Sequence, residues 1–263
     1  MDFNDLTYER RGGAAWIRLN RPDQMNPLSK GFIAEAHQVL DAAMADPTIF
    51  AVVFSANGRG FCAGADLKFI NEYQEDEREA ESNRFIASAA ALMDRLEAYP
   101  KPVIAAVNGL AAGGGMELLL SCDLVYAAKS ARIGDGHANY GLLPGAGASA
   151  RLPRKIGANR ANYLFFTGDL LPVERFVECG LINQIVEDAE LVAAVDAVVA
   201  KIATKSPIGL SRMKMLAVSS LDQPMAASIR LEQLVSQLHT TSRDRNEGIA
   251  AFNEKRRPIF TGC

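Results

Sequence analysis

Two glycine-rich stretches, each set between a short apolar run and a helical one, constrain this chain more than any other feature. The first is Asn57-Gly58-Arg59-Gly60-Phe61-Cys62-Ala63-Gly64-Ala65-Asp66-Leu67, after the run Ala51–Ser55. The second is Asn108-Gly109-Leu110-Ala111-Ala112-Gly113-Gly114-Gly115-Met116-Glu117, after Val103–Val107. A passage from strand through glycine loop to helix leaves backbone N–H groups unpaired at a helix start, where the dipole is positive. Such a place can hold a phosphate, a carboxylate or a developing oxyanion. Neither stretch has the spacing of a P-loop, and Gly58-x-Gly60-x-x-x-Gly64 does not fit a dinucleotide fingerprint. One such loop is as well explained by tight turns and close packing. Two after neighbouring strands favour a site.

The surrounding pattern predicts an α/β fold. Strands are expected at Ala14–Leu19, Ala51–Ser55, Val103–Val107 and Leu124–Ala128, all short apolar or β-branched runs. Helical spacing of Phe32, Ile33, Ala36, Val39, Leu40 and Ala43 predicts a helix over Lys30–Ala45. Further helices are expected over Asp76–Ala98, stopped by Pro100 and Pro102, and over Met116–Ser121. Alternation of strands and helices implies largely parallel pairing through crossover connections. From about residue 158 the chain reads as helix only. Leu191, Val195, Val198, Val199 and Ile202 form one stripe, and Leu231, Leu234, Val235 and Leu238 another. Ser206-Pro207 reads as a helix cap with proline at the first helical position. Faces this wide complete a core or meet another subunit.

Composition narrows the function classes. With 263 residues, 49% hydrophobic and 22% charged, the chain is expected to be globular throughout. A net charge of −3 argues against a nucleic-acid partner. Cys62, Cys122, Cys179 and Cys263 share no C-x-x-C spacing, and with three histidines they offer no zinc signature. They read as free thiols in a reducing compartment. The opening Met1-Asp2-Phe3-Asn4-Asp5 is acidic, unlike a secretion signal, and no apolar run is long enough to span a bilayer. A soluble cytoplasmic protein without a metal is therefore expected.

Five stretches together resemble one family. Phe61-Cys62-Ala63-Gly64-Ala65-Asp66-Leu67 looks like the first signature of the enoyl-CoA hydratase/isomerase (crotonase) family. Lys101–Gly109 with Gly113-Gly114-Gly115-Met116-Glu117 looks like the second, and Gly141-Leu142-Leu143-Pro144-Gly145-Ala146-Gly147 like the third. Leu19-Asn20-Arg21-Pro22 and the stretch Glu247-Gly248 to Phe252-x-Glu254-Lys255-Arg256 also match. The resemblance spans nearly the whole chain, with its motifs in the right order. It implies a crotonase-like spiral of ββα units (residues 1–200), followed by a helical region (residues 201–263) used in trimerisation. A homotrimer or homohexamer is the implied assembly, and an acyl-CoA thioester the implied partner. Coenzyme A would be part of the substrate, with no separate cofactor.

By motif position, the N–H groups of Ala65 and Gly114 would bind the thioester carbonyl and stabilise its enolate. Both lie where free donors are expected from the loops themselves. One such donor contributes roughly 3–4 kcal/mol to a transition state. The resemblance further implies that Ala63, Asp66, Leu67, Lys68 and Gly113 line the substrate or CoA site. Phe252 would pack beside the adenine and Lys255 would meet a CoA phosphate. A solvated basic end is the plainer account of Lys255, Arg256 and Arg257. Asp23 stands where relatives often place a basic residue, which weakens the case for phosphate contacts.

Glu117 begins a helix that continues as Leu118-Leu119-Leu120. A first-turn glutamate suits the helix dipole, but beside a buried segment its pKa would rise towards neutrality. It fills the position of the first catalytic glutamate of hydratases. The second glutamate position is occupied by His137, so a two-carboxylate site has become a Glu/His site. Histidine transfers protons near neutrality. A structural loop histidine is the alternative. Asp135 and Asn139 flank His137 and are candidates to orient it, Asp66 to cap the first loop's helix, and Tyr140 to line the acyl pocket with Phe69–Ile86. His37 and His239 read as structural or solvated.

Three reactions are compatible with these residues. Hydration of an α,β-unsaturated acyl-CoA, or its reverse, would use Glu117 and His137 together. Hydrolysis of a thioester or C–C bond would use His137 to activate water. Double-bond isomerisation would need one shuttling carboxylate. A non-catalytic acyl-CoA or RNA binder would not need the paired donor loops or Glu117.

Overall fold

The computed structural model describes residues 3–263, with the side chains of Ile70 and Asn71 outside that description. The reading of Met1-Asp2 therefore lies outside the described residues. In chain order the strands are β1 (Leu6–Arg11), β2 (Ala14–Leu19), β3 (Ala51–Ala56), β4 (Gly60–Cys62), β5 (Val103–Val107), β6 (Leu110–Ala112), β7 (Leu124–Ala128), β8 (Arg132–Gly134), β9 (Leu171–Pro172) and β10 (Gln184–Val186). The helices are α1 (Lys30–Ala45), α2 (Glu75–Ala98), α3 (Gly114–Leu120), α4 (Ala148–Ile156), α5 (Ala158–Thr167), α6 (Leu191–Ile202), α7 (Pro207–Ser220), α8 (Met225–His239) and α9 (Arg243–Asn253).

The strands form two sheets. One has the order β1-β2-β3-β5-β7-β10 and the other β4-β6-β8-β9. Each turn of the chain lays one strand in the larger sheet and the next in the smaller: β3 then β4, β5 then β6, β7 then β8. Helices α2 and α3 connect successive turns, which makes the spiral of ββα units that the sequence implies. Both faces of the larger sheet are covered, so its strands read as continuous apolar runs. Ala15, Ile17, Val52, Phe54, Val103 and Ala105 enter one core with α1 and α2. Their neighbours Ala14, Trp16, Ala51, Val53, Ile104 and Ala106 enter a second core under α6. This is the period-two alternation of a strand.

Helix α1 has the bounds expected from its stripe. Ser29 caps it, its hydroxyl accepting from Phe32 N at 2.9 Å, and all six stripe residues are buried. One expectation is corrected. The region after residue 158 is not helix only: β9 pairs antiparallel with β8, and β10 pairs parallel with β7 at the sheet edge. At two and three residues, both strands are too short to show a period. The pairing is largely parallel as expected, with β1 running antiparallel to β2 at the other edge.

Candidate active site

Three parallel strands of the smaller sheet bring the site together. β4 pairs with β6, and β6 with β8, all in one direction. Their C-terminal ends, Cys62, Ala112 and Gly134, therefore open onto the same side. The residues just beyond them are Ala65, Gly114 with Glu117, and His137. These are the residues that the glycine loops and the Glu/His reading single out.

The first loop is held by a short parallel ladder. Leu28 N donates to Gly64 O at 2.7 Å, and Asp66 N donates to Leu28 O at 2.8 Å. Successive backbone groups of an extended chain point to opposite sides. Ala65 N–H therefore points away from Leu28. In the second loop, Gly114 is the first residue of α3, so its N–H has no partner within the helix. A Cβ built on Gly114 would lie 3.5 Å from Ala65 N and 2.8 Å from Leu28 Cδ1. The space between the two amides is thus one that only glycine leaves open. Two N–H groups converging on one space can bind a single oxygen atom.

Glu117 is 4% exposed. Its Oε1 accepts from Ala146 N at 2.7 Å and from Ala148 N at 3.1 Å. Oε2 makes no hydrogen bond among the described residues and is not sealed from solvent. Burial raises the pKa of this carboxyl above its ordinary value, against the opposing pull of the two N–H donors and of His137. The result is a carboxylate with one oxygen fixed, one free and an enhanced affinity for a proton.

His137 opens the short helical turn His137–Tyr140 after β8. Its Nδ1 lies 3.0 Å from Asp135 Oδ1, and its backbone N donates to Asp135 Oδ2 at 3.3 Å. The carboxylate fixes Nδ1 as the protonated nitrogen and leaves Nε2 free for exchange. Burial works to lower the pKa of His137, but the Asp135 hydrogen bond and the charges of Asp135 and Glu117 outweigh it and raise it.

Ala65, Leu67, Gly114, Glu117 and His137 line one cleft of about 210 Å³. Its other walls are Leu28, Ser82, Phe85, Ile86, Ala89, Leu142, Leu143, Gly145 and Ala146. The Phe69–Ile86 stretch contributes its later residues, while Phe69 stacks behind Phe85 with ring centroids 5.0 Å apart. Gly113 is not among the lining residues, and its N–H donates to Asp135 O at 2.7 Å.

Other residues singled out in the sequence lie outside the lining. Tyr140 is 80% exposed and does not enter the cleft. Asn139 does not orient His137, because its amide donates to Gly168 O; Asp135 does so instead. Asp66 caps its turn only through Lys68 N at 3.3 Å and pairs chiefly with Arg21 at 2.6 Å. Ala63 and Lys68 are exposed beside the cleft. Phe252, 84% exposed, and Lys255 stand at the end of α9 and do not line it. No side-chain pattern in the sequence points to the donors Ala146 and Ala148. They act through backbone atoms, and the only hint is that Ala146 lies within the third glycine motif and Ala148 directly after it.

Spiral, cleft and paired amides define an enzyme of the crotonase fold. A family model described as enoyl-CoA hydratase/isomerase matches residues 9–263. The chain belongs to that family. It is 31% identical to a crotonyl-CoA hydratase of Syntrophomonas wolfei, over 99% of each chain. It is 34% identical to a 2,3-dehydroadipyl-CoA hydratase of Escherichia coli K12, over 99% of this chain and all of that one. Among solved structures, the enoyl-CoA hydratase from Bacillus anthracis superposes with a TM-score of 0.93 at 32% identity, over 99% of this chain and 100% of that one. No helix among the described residues is long and apolar enough to cross a membrane.

Proposed function

We propose that this enzyme reversibly hydrates 2-enoyl-CoA thioesters. The thioester oxygen sits between Ala65 N–H and Gly114 N–H, which draw charge from the conjugated system. Glu117 Oε2 takes a proton from water as its oxygen bonds to Cβ. The electron pair of the double bond moves through Cα to the thioester oxygen, giving an enolate held by the two amides. His137 Nε2–H then protonates Cα. Solvent returns the proton from Glu117 to His137.

The observation that carries this reading is the opposed anchoring of Glu117 and His137 in one cleft. The carboxylate is gripped at Oε1 with Oε2 free, and the imidazole is gripped at Nδ1 with Nε2 free. Burial strengthens Glu117 as a base, and Asp135 favours the protonated form of His137. One group accepts while the other donates, as addition of H and OH requires.

The reading keeps a homotrimer or homohexamer as the assembly and the cytoplasm as the compartment. Exposed Met213, Met225, Leu234 and Leu238 on α7 and α8 supply apolar area for subunit contact. The test follows loss of conjugated-enoyl absorbance together with release of free thiol from a panel of 2-enoyl-CoA substrates. Absorbance loss without thiol is the expected result. Thiol release in step with absorbance loss would instead make His137 the activator of water in a hydrolase.

A further inference from the structure

Arg151, in the first turns of α4, takes no part in the reaction just described. Its side chain is nevertheless only 11% exposed, and all three of its nitrogens are engaged. Nη1 donates to Ala146 O at 2.9 Å. Nη2 donates to Asp94 Oδ1 at 2.7 Å and to Glu97 Oε2 at 3.0 Å, and Nε donates to Glu97 Oε2 at 3.2 Å. Ala146 is the same residue whose N–H holds Glu117 Oε1. A Cβ built on Gly147 would lie 2.0 Å from Arg151 Nη1, so the guanidinium is laid directly over that glycine, whose φ is +109°.

Asp94 and Glu97 lie on α2, the helix whose Ser82, Phe85, Ile86 and Ala89 wall the cleft. A solvent-exposed pair with Asp94 alone would contribute little. The half-buried fork shared between a backbone carbonyl and Glu97 is a different arrangement, because it fixes geometry. We propose that Arg151 is a positioning residue. By clamping Ala146 O to α2, it fixes the Ala146 and Ala148 N–H groups that aim Glu117, and so ties the reacting carboxylate to the wall of the acyl cleft. This rests on the reading of Glu117 as the base.

The clamp has a consequence for pH. The charged groups that face Glu117 are His137 and Asp135, both from the stretch after β8. Those that face Arg151 are Asp94 and Glu97 on α2. Loosening Ala146 and Ala148 removes donors that favour ionised Glu117, while the burial that disfavours it remains. The acid limb of the kcat/KM profile, where Glu117 gains its proton, then moves to higher pH.

The experiment compares pH profiles, kcat, KM and thermal unfolding for the wild type, Arg151→Met, Arg151→Lys and the double variant Asp94→Asn/Glu97→Gln. Arg151→Met is expected to lower kcat by roughly 10–100-fold with little change in KM, and to shift the acid limb to higher pH. Lysine cannot serve a carbonyl and a carboxylate in one planar fork, so Arg151→Lys falls in between. The double variant keeps Arg151 and shifts the limb the same way by less; it decides the matter if Arg151→Met does not fold. A limb that stays in place while the melting temperature falls would make Arg151 purely structural and overturn the proposal. Glu117→Gln separates the two readings. If it abolishes the limb while the Arg151 variants leave it unmoved, only the clamp fails. If the limb survives Glu117→Gln, the base is another group and both readings fail.

Discussion

His137 Nδ1 lies 3.0 Å from Asp135 Oδ1, and Asp135 is 1% exposed. A buried carboxylate of this kind sets both the tautomer and the proton affinity of its imidazole. The folded pKa of His137 is raised, so the imidazolium persists to higher pH than in a free histidine. Asp135→Asn keeps an acceptor beside Nδ1 but removes the charge. Burial then acts with less opposition, and the pKa of His137 falls. The basic limb of the kcat profile should move to lower pH, with kcat reduced about 10–100-fold on the alkaline side. A basic limb that does not move would mean that His137 is not the proton donor.

Glu117→Gln separates chemistry from stability. The amide keeps the shape and an oxygen for Ala146 and Ala148 N–H, but it cannot take a proton. Turnover should fall by at least about 100-fold with KM nearly unchanged. The stability effect has the opposite sign. Because the folded pKa of Glu117 is raised, the native state holds its proton more firmly than the unfolded chain does. The wild type therefore loses stability relative to the variant as pH rises through the interval between the unfolded and folded pKa values. Melting curves at pH 5 and pH 8 should show Glu117→Gln gaining on the wild type at the higher pH. A gap independent of pH would contradict the raised pKa.

The parts of this fold that were legible in the sequence are those written in side-chain periodicity. Helix α1 shows its bounds through Ser29 and six buried apolar residues. Strands β3 and β5 show theirs because both faces are buried. Strand β1 is hidden because only Leu6 of its six residues is buried, so no alternation reaches the sequence. The glycine loops mark where the proposed donors lie, since a Cβ at Gly114 would stand 3.5 Å from Ala65 N. The grip on Glu117 was not legible: it comes from backbone N–H groups 29 and 31 residues away. The bridge from Arg151 to Glu97 spans 54 residues, and only the folded chain brings its ends together.

Gly114→Ala tests the paired amides directly. The new methyl would stand 3.5 Å from Ala65 N, in the space a thioester oxygen needs. Its nearest neighbour is Leu28 Cδ1 at 2.8 Å, the end of a side chain that can turn aside. The fold should therefore survive while binding of the oxyanion does not. We expect kcat to fall roughly 100–1,000-fold, the effect of losing a donor in comparable sites. Circular dichroism should show a melting transition within a few degrees of the wild type. Turnover retained by a folded variant would remove Gly114 from the oxygen site.

The lining of the cleft predicts a preference among acyl groups. Beyond the amides, Glu117 and His137, its walls are Leu28, Leu67, Ser82, Phe85, Ile86, Ala89, Leu142, Leu143, Gly145 and Ala146, and no lysine or arginine lines it among the described residues. Beyond the reacting Glu117 and His137, an acyl chain ending in a carboxylate would meet Ser82 as the one polar side chain and no fixed cation, so burying that charge is costly. An uncharged chain gains from the same surface. Crotonyl-CoA should therefore exceed a carboxylate-terminated 2-enoyl-CoA in kcat/KM by at least about 100-fold, or about 2.7 kcal/mol of transition-state energy. Ala89, buried on α2, stands at the wall that a longer chain would press against. Ala89→Leu should spare crotonyl-CoA and depress turnover of hexenoyl- and octenoyl-CoA progressively. Equal turnover of the charged and uncharged substrates would show that the acyl chain leaves by another route than this apolar cleft.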